Sequence, residues 1–249
     1  MTAATHTAPL TPPPLQRLTA VELRKMTDTR AGFWLLLLVA ISAIALVVLV
    51  LAVGKAPDQT MESLFSDSIQ IISVLLPIVG LLLVTSEWSQ RTALTTFTLV
   101  PERSRVVAAK FLAGSALAVV AVLICLAAAA GGAVIAGESL SFELSHLANG
   151  ALYEVISMLG ALALGLLLMH SALAIVTYFV LPTVVGIVVE VVRSLQEPSE
   201  WFDPSKTTTP LAENTMAGDD WAKLGVTVAI WVGLPLVLGL LRLRRHELK

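Results

Sequence analysis

The segment Glu87 to Lys110, EWSQRTALTTFTLVPERSRVVAAK, gathers Glu87, Arg91, Glu102, Arg103, Arg105 and Lys110 between two strongly apolar runs. Its residue types suit contact with a soluble partner better than bond-making chemistry. Thr92 to Leu99 alternates small, polar and apolar residues, a pattern for a short helix with one apolar face. Pro101 then interrupts it before the basic run, because proline removes a backbone donor and clashes inside a helix. A short helix presented between two apolar spans fits a socket on another protein. An ordinary basic loop beside a membrane needs only a few lysines and arginines. Glu87, at the end of a span, goes beyond that need.

A second set of polar residues falls inside or near apolar runs: Gln70, Ser73, Glu154, Thr177, Tyr178 and Glu190. A charge at the centre of a bilayer costs ~2.5–3.5 kcal/mol on insertion scales, so a central carboxylate usually has a function. Glu154 and Glu190 both fall about one turn from the expected span ends. They therefore read as interfacial carboxylates in contact with water or, more sharply, as a proton- or cation-coupled site. Gln70, Ser73, Glu154, Thr177 and Tyr178 are the candidate pathway-lining residues.

Chemistry of other kinds is missing from the sequence. No GxxxxGK[ST] phosphate loop occurs, and neither HExxH nor GxSxG is present. His6, His146, His170 and His246 lack metal-ligand spacing, and Cys125 is the only cysteine. One thiol cannot make an internal disulfide or a cysteine-based zinc site. We expect no catalytic residue, no metal ligand and no enzyme active site. The net charge of −2, with no dense basic block, gives no footprint for nucleic acid.

These residues need a scaffold, and the composition supplies one. Of 249 residues, 56% are hydrophobic and 14% charged, against about 25% charged in a typical soluble domain. The mean hydropathy is +0.85. The apolar residues cluster in stretches able to cross a hydrocarbon core of about 30 Å. The expected fold is an all-α polytopic membrane protein with spans near 33–53, 68–86, 111–136, 151–169, 172–192 and 224–241. Pro77 suggests a kink in the second span. In the third, Ala127, Ala128, Gly131, Gly132 and Ala136 have the small-residue spacing that lets helices approach closely. Ser157, Ala161 and Gly165 do the same in the fourth. Short polar loops are expected at 54–67 and 137–150, a tight turn at His170-Ser171, and a long polar loop at 193–222.

Residues 1–14 are a Thr/Pro-rich tail expected to be disordered, leaving 15–249 as one transmembrane domain. From Leu15 to Arg30 the pattern is helical. Leu15, Leu18, Leu23 and Met26 share one arc, while Arg17, Arg24 and Asp28 lie opposite. Such a helix, with Arg24 and Lys25, suits an anionic membrane surface. Glu22 falls inside the apolar arc and therefore calls for a cationic partner.

Lysine and arginine placement sets orientation. With both termini inside, Arg17, Arg24, Lys25, Arg30, Arg91, Arg103, Arg105, Lys110, Arg242, Arg244, Arg245 and Lys249 share the inner face, against Lys55, Arg193, Lys206 and Lys223 outside. Trp34 and Trp88 then mark the inner interface, Trp201 and Trp221 the outer. The Glu87–Lys110 segment faces the cytoplasm. The arginine and alanine bias points to a bacterium, and so to the bacterial cytoplasmic membrane.

The segment after the second span resembles that of type-2 ABC transporter permeases, the ABC-2 exporter family. Glu87, Thr92, Pro101, Arg103 and Lys110 match by residue. Arg91 stands where the family usually has glycine, and His170 stands at a turn where arginine is common. An N-terminal helix with Glu22, six spans, a tight fourth-to-fifth turn and a long loop before the last span extend the resemblance along the chain. It implies that Glu22, Arg24 and Lys25 lie on an elbow helix, and that Glu87, Arg91, Thr92, Pro101, Arg103, Arg105 and Lys110 form an ATPase-coupling segment. It further implies a permease subunit with no cofactor of its own, ATP and Mg being bound by a separate cytoplasmic ATP-binding subunit. A second permease subunit, as homodimer or heterodimer, completes the pathway, and the cargo is an amphipathic or hydrophobic compound such as a drug, peptide or lipid. An ion-coupled secondary transporter and a non-transporting membrane anchor for a cytoplasmic ATPase are the alternatives.

Overall fold

The computed structural model describes residues 13–89 and 103–245. Every regular element among these residues is helical. Helix α1 (Leu15–Asp28) precedes α2 (Arg30–Val53), the first of two 3-10 turns among these residues at Ala56–Gln59 (the other is Arg193–Leu195), and α3 (Met61–Ser89). Then come α4 (Arg103–Ala136), α5 (Leu144–Leu168) and α6 (Ser171–Val191). Two short helices, α7 (Gln196–Ser199) and α8 (Pro204–Ala212), lead to α9 (Asp220–Val228), which continues through a π-helical turn at Ala229–Gly233 into α10 (Leu234–Arg245).

Six of these segments are long and apolar enough to cross a bilayer: Gly32–Val53, Met61–Ser86, Arg103–Ala136, Leu144–Leu168, Ser171–Val191 and Asp220–Arg245. The chain is a multi-pass membrane protein. The helices overrun the apolar runs expected from sequence, because polar flanks extend a helix that packing has already nucleated. Thus α3 begins at Met61 inside the expected 54–67 loop, and α5 begins at Leu144 inside the expected 137–150 loop. The expected 193–222 loop also contains α7 and α8. Pro77 lies within a helix that runs unbroken from Met61 to Ser89.

Helix α3 is the axis of the bundle, its span far more enclosed than the others. Leu64, Phe65, Ile69, Ile72 and Leu76 are fully buried along it. Helices α2, α4 and α5 surround it, and close approach depends on glycine at a few places. A Cβ on Gly132 of α4 would stand 2.5 Å from Val47 and 2.9 Å from Leu64. On Gly80 of α3 it would meet the Met158 sulfur at 2.4 Å. The small-residue stripe of α4 is therefore used only in part: Gly132 is buried, but Ala127 and Gly131 face outward. Cys125, Ala129 and Ala133 complete the buried face instead. On α5, Ala161 and Gly165 are buried as the small-residue face requires, with Ser157 half-buried.

The α5–α6 connection is as tight as expected. Met169 takes a left-handed conformation (φ 54°), unusual for a side chain of its size, and His170 Nδ1 accepts from the Leu173 amide to cap α6. Trp34, Trp201 and Trp221 are all exposed, as interfacial anchors must be.

Candidate functional site

Two buried carboxylates define the candidate sites, one near each level of the bundle. The first is Glu22. It lies on the inward face of α1 with Met26, both nearly inaccessible. Its Oε2 accepts from Lys110 Nζ of α4 at 2.6 Å, and its Oε1 from Lys25 Nζ, one turn further along α1, at 2.7 Å. Lys110 is itself buried and reaches the Leu83 carbonyl of α3 at 3.5 Å. One ammonium thus joins α1, α3 and α4. The cationic partner that Glu22 required is Lys110, and two residues assigned to different elements of the chain meet in one ion pair.

Arginines from the same end bind backbone carbonyls. Arg103 Nη1 donates to Leu243 of α10, Arg105 Nη2 to Pro13 at 2.8 Å, and Arg242 Nη1 to Leu167 of α5. Leu243 and Leu167 lie in the last turns of α10 and α5, where carbonyls lack intrahelical partners and attract cations, whereas Pro13 precedes the start of α1. Ser171 donates to Thr85 at 2.8 Å, fastening the start of α6 to α3. At this end the start of α4 is tied to the last turn of α10 and to the residue before α1. Arg24 is exposed. Glu87 lies within α3. Arg91, Thr92 and Pro101 fall outside the described residues, as does the expected Thr92–Leu99 helix.

The second site lies around Glu154. Reading this residue as an interfacial carboxylate in contact with water requires correction. Because α5 starts at Leu144, Glu154 is ten residues along it, about 15 Å from its start at 1.5 Å per residue. It is fully buried, and neither carboxylate oxygen has a hydrogen-bond partner. Glu190, by contrast, is exposed, consistent with an interfacial position.

The other candidate pathway residues converge on Glu154 in part. Tyr178 of α6 donates to the carbonyl of Ser157, one turn along α5 from Glu154, at 3.2 Å. Ser73 of α3 lies beside the Tyr153 hydroxyl, adjacent in sequence to Glu154. Gln70 is one turn from Ser73 and exposed on the outer surface of the bundle, and Thr177 is half-buried. Tyr153, Cys125 and Arg242 belong to these sites although sequence reasoning did not single them out as such. Tyr153 was legible as the neighbour of a membrane carboxylate, whereas nothing in the pattern of α4 aimed Cys125 at α5.

At the opposite end from the arginines, Glu200, Lys206, Thr207, Asp220 and Lys223 line a surface pocket of about 250 Å³. Lys223 donates to Glu200 at 2.9 Å, and this contact holds the Glu200 carboxyl below the usual range. Asn149 of α5 donates to Asn214 at 2.7 Å, anchoring the connection before α9 over the bundle.

Among the described residues, no three histidine, cysteine, aspartate or glutamate side chains gather as a metal would require. Compared with known proteins, the chain matches no family model, and a search of curated proteins finds no match.

Proposed function

We propose that this chain is the membrane permease subunit of an ATP-driven exporter in the bacterial cytoplasmic membrane, with both termini in the cytoplasm. A separate ABC ATP-binding subunit docks on the Glu87–Lys110 segment and binds ATP and Mg. Two permease chains form the pathway, and an amphipathic or hydrophobic compound crosses outward. The observation that carries this reading is the joint at Lys110. The segment that would receive a push ends in a side chain fixed to α1 through Glu22 and to α3 through Leu83. A force applied there reaches three helices at once, aided by Arg103 and Arg105 on the Leu243 and Pro13 carbonyls. A loop serving only topology needs none of these attachments.

The test is reconstitution with an ABC-type ATP-binding protein, sought first among the products of the genes that neighbour this one. The permease alone should hydrolyse no ATP, and the pair should show cargo-stimulated hydrolysis. Double charge reversal, Arg103→Glu with Arg105→Glu, should uncouple hydrolysis from transport; a melting curve would distinguish uncoupling from unfolding. Failure of any ATP-binding protein to copurify, together with unchanged transport in the reversed variant, overturns the proposal. Transport driven by an ion gradient without ATP would instead favour the second reading, an ion-coupled carrier, which the burial of Glu154 supports.

A further inference from the structure

We propose that Glu154 is a proton-binding site inside the bundle: its carboxyl carries a proton while α5 is packed on α3 and α4, and releases it when these helices part. This goes beyond the coupling role of the basic end and holds whether or not an ATP-binding subunit drives the chain.

The argument begins with company. Both Glu154 oxygens are buried and without partners. The titratable groups that interact with it are Cys125 from α4, Tyr153 from α5 itself and Tyr178 from α6. None of these is a cation, and among the described residues burial alone acts on the Glu154 carboxyl. The Tyr178 hydroxyl already donates to Ser157. An ionised carboxylate in such a place lacks both solvent and counter-charge, and buried charges in proteins are paired, coordinated or neutralised by proton uptake.

A proton is favoured over a larger cation by the packing around the site. One turn before Glu154, Gly150 is so close to Phe65 that a Cβ would stand 3.0 Å from its ring. One turn after, Met158 is fully buried and fills the space at Gly80 and Gly114. A metal ion would need several oxygen ligands, whereas the neighbouring side chains supply an isolated carboxyl, phenols and a thiol. A proton needs neither ligands nor space. Separation of α5 from α3 and α4 would admit water and let the charged form survive, so proton release follows the opening of this packing. Carboxyl groups within membranes commonly serve proton transfer for this reason.

Infrared spectroscopy of the purified full-length chain in lipid at neutral pH tests the proposal. The wild type should show the carbonyl stretch of a protonated carboxylic acid, shifted in D2O. The band should vanish in Glu154→Gln and move in Glu154→Asp. If the glutamine variant does not fold, the displaced band of the aspartate variant still makes the assignment. Absence of the band in the wild type, or its persistence unmoved in both variants, overturns the proposal. A second measurement follows proton release. If the folded chain holds a proton that the unfolded chain loses, the melting temperature should fall as pH rises above the ordinary glutamate value of about 4.3. The glutamine variant should lose that slope, and parallel slopes in wild type and variant would overturn the coupling of the proton to packing.

Discussion

Glu22 and Glu154 are buried to nearly the same degree, 4% and 0% exposed, yet they keep opposite company. Glu22 accepts from two ammonium groups, one carried by its own helix and one by α4. Glu154 accepts from nothing. The difference follows from depth. Near a membrane face, lysine can approach with its long stem along apolar helices and its charge at the end. Deep in the bundle a lysine would face the same expense as the glutamate it neutralises. A permanent ion pair holds three helices in a fixed relation, while a lone carboxyl changes state with the packing around it.

The largest effect expected from breaking this contrast comes at Lys110. Lys110→Ala leaves Glu22 buried with only Lys25, whose side chain is 37% exposed. Removal of one partner from a buried pair costs about 3–5 kcal/mol, and with Lys25 remaining the loss should lie near the lower end. Thermal melts of the purified protein would show it. Replacing both groups, Glu22→Met with Lys110→Met, should be less harmful than Lys110→Ala alone, since no buried charge is left over. A double variant weaker than the single one would mean that the joint depends on packing and not on the pair.

Next in size is the packing that encloses Glu154. Gly114 of α4 lies against α5, and a Cβ there would meet Leu162 at 2.7 Å and Met158 at 3.1 Å. Gly114→Val should destabilise the chain by about 1–3 kcal/mol through overpacking. Gly131, on the outward face of the same helix, has nothing within 4 Å. Gly131→Val should change stability by less than about 0.5 kcal/mol, in the manner of surface substitutions. Equal effects at the two glycines would show that α4 and α5 are not in the close contact on which the dry surroundings of Glu154 depend. Tyr178→Phe is milder. It removes one hydrogen bond to Ser157, a loss of about 0.5–1.5 kcal/mol, and leaves the carboxyl without new neighbours.

How these regions could be read from sequence differed for physical reasons. Hydrophobic length alone announced six spans, and the misplaced Glu22 in the arc of Leu15, Leu18, Leu23 and Met26 announced its need for a cation. The identity of that cation was not legible, because Lys110 is 88 residues away and reads locally as one more basic residue. For Glu154 the sequence left two readings open, because apolar content marks where hydrocarbon begins, not where a helix begins. The polar start of α5, Leu144 to Gly150, carries His146, Asn149 and two serine or glycine positions that lower the average, yet tertiary contacts make it helix. Ser66 and His146, 2.8 Å apart, are one such contact. The bonds of Arg103, Arg105 and Arg242 to carbonyls were invisible for another reason: a backbone acceptor has no sequence signature.

The smallest effect sharpens the comparison from outside the bundle. Glu200 is paired like Glu22 but exposed like a surface group, its Lys223 partner 2.9 Å away. That partner holds the Glu200 carboxyl below its ordinary range. A carboxyl depressed in the folded state contributes stability above its unfolded value, about 4.3 for glutamate, and loses it as pH falls through the folded value. Acidification below about pH 4 should therefore lower the melting temperature of the wild type slightly more than that of Glu200→Gln, and added salt should erase the difference. The direction is the reverse of that at Glu154. If Glu154 binds a proton as proposed, that proton belongs to the folded chain, whereas a proton on Glu200 belongs to the unfolded one. A single pH series on the two glutamine variants thus separates the carboxylates, one gaining its role from the loss of water and the other from a neighbouring charge that water continues to screen.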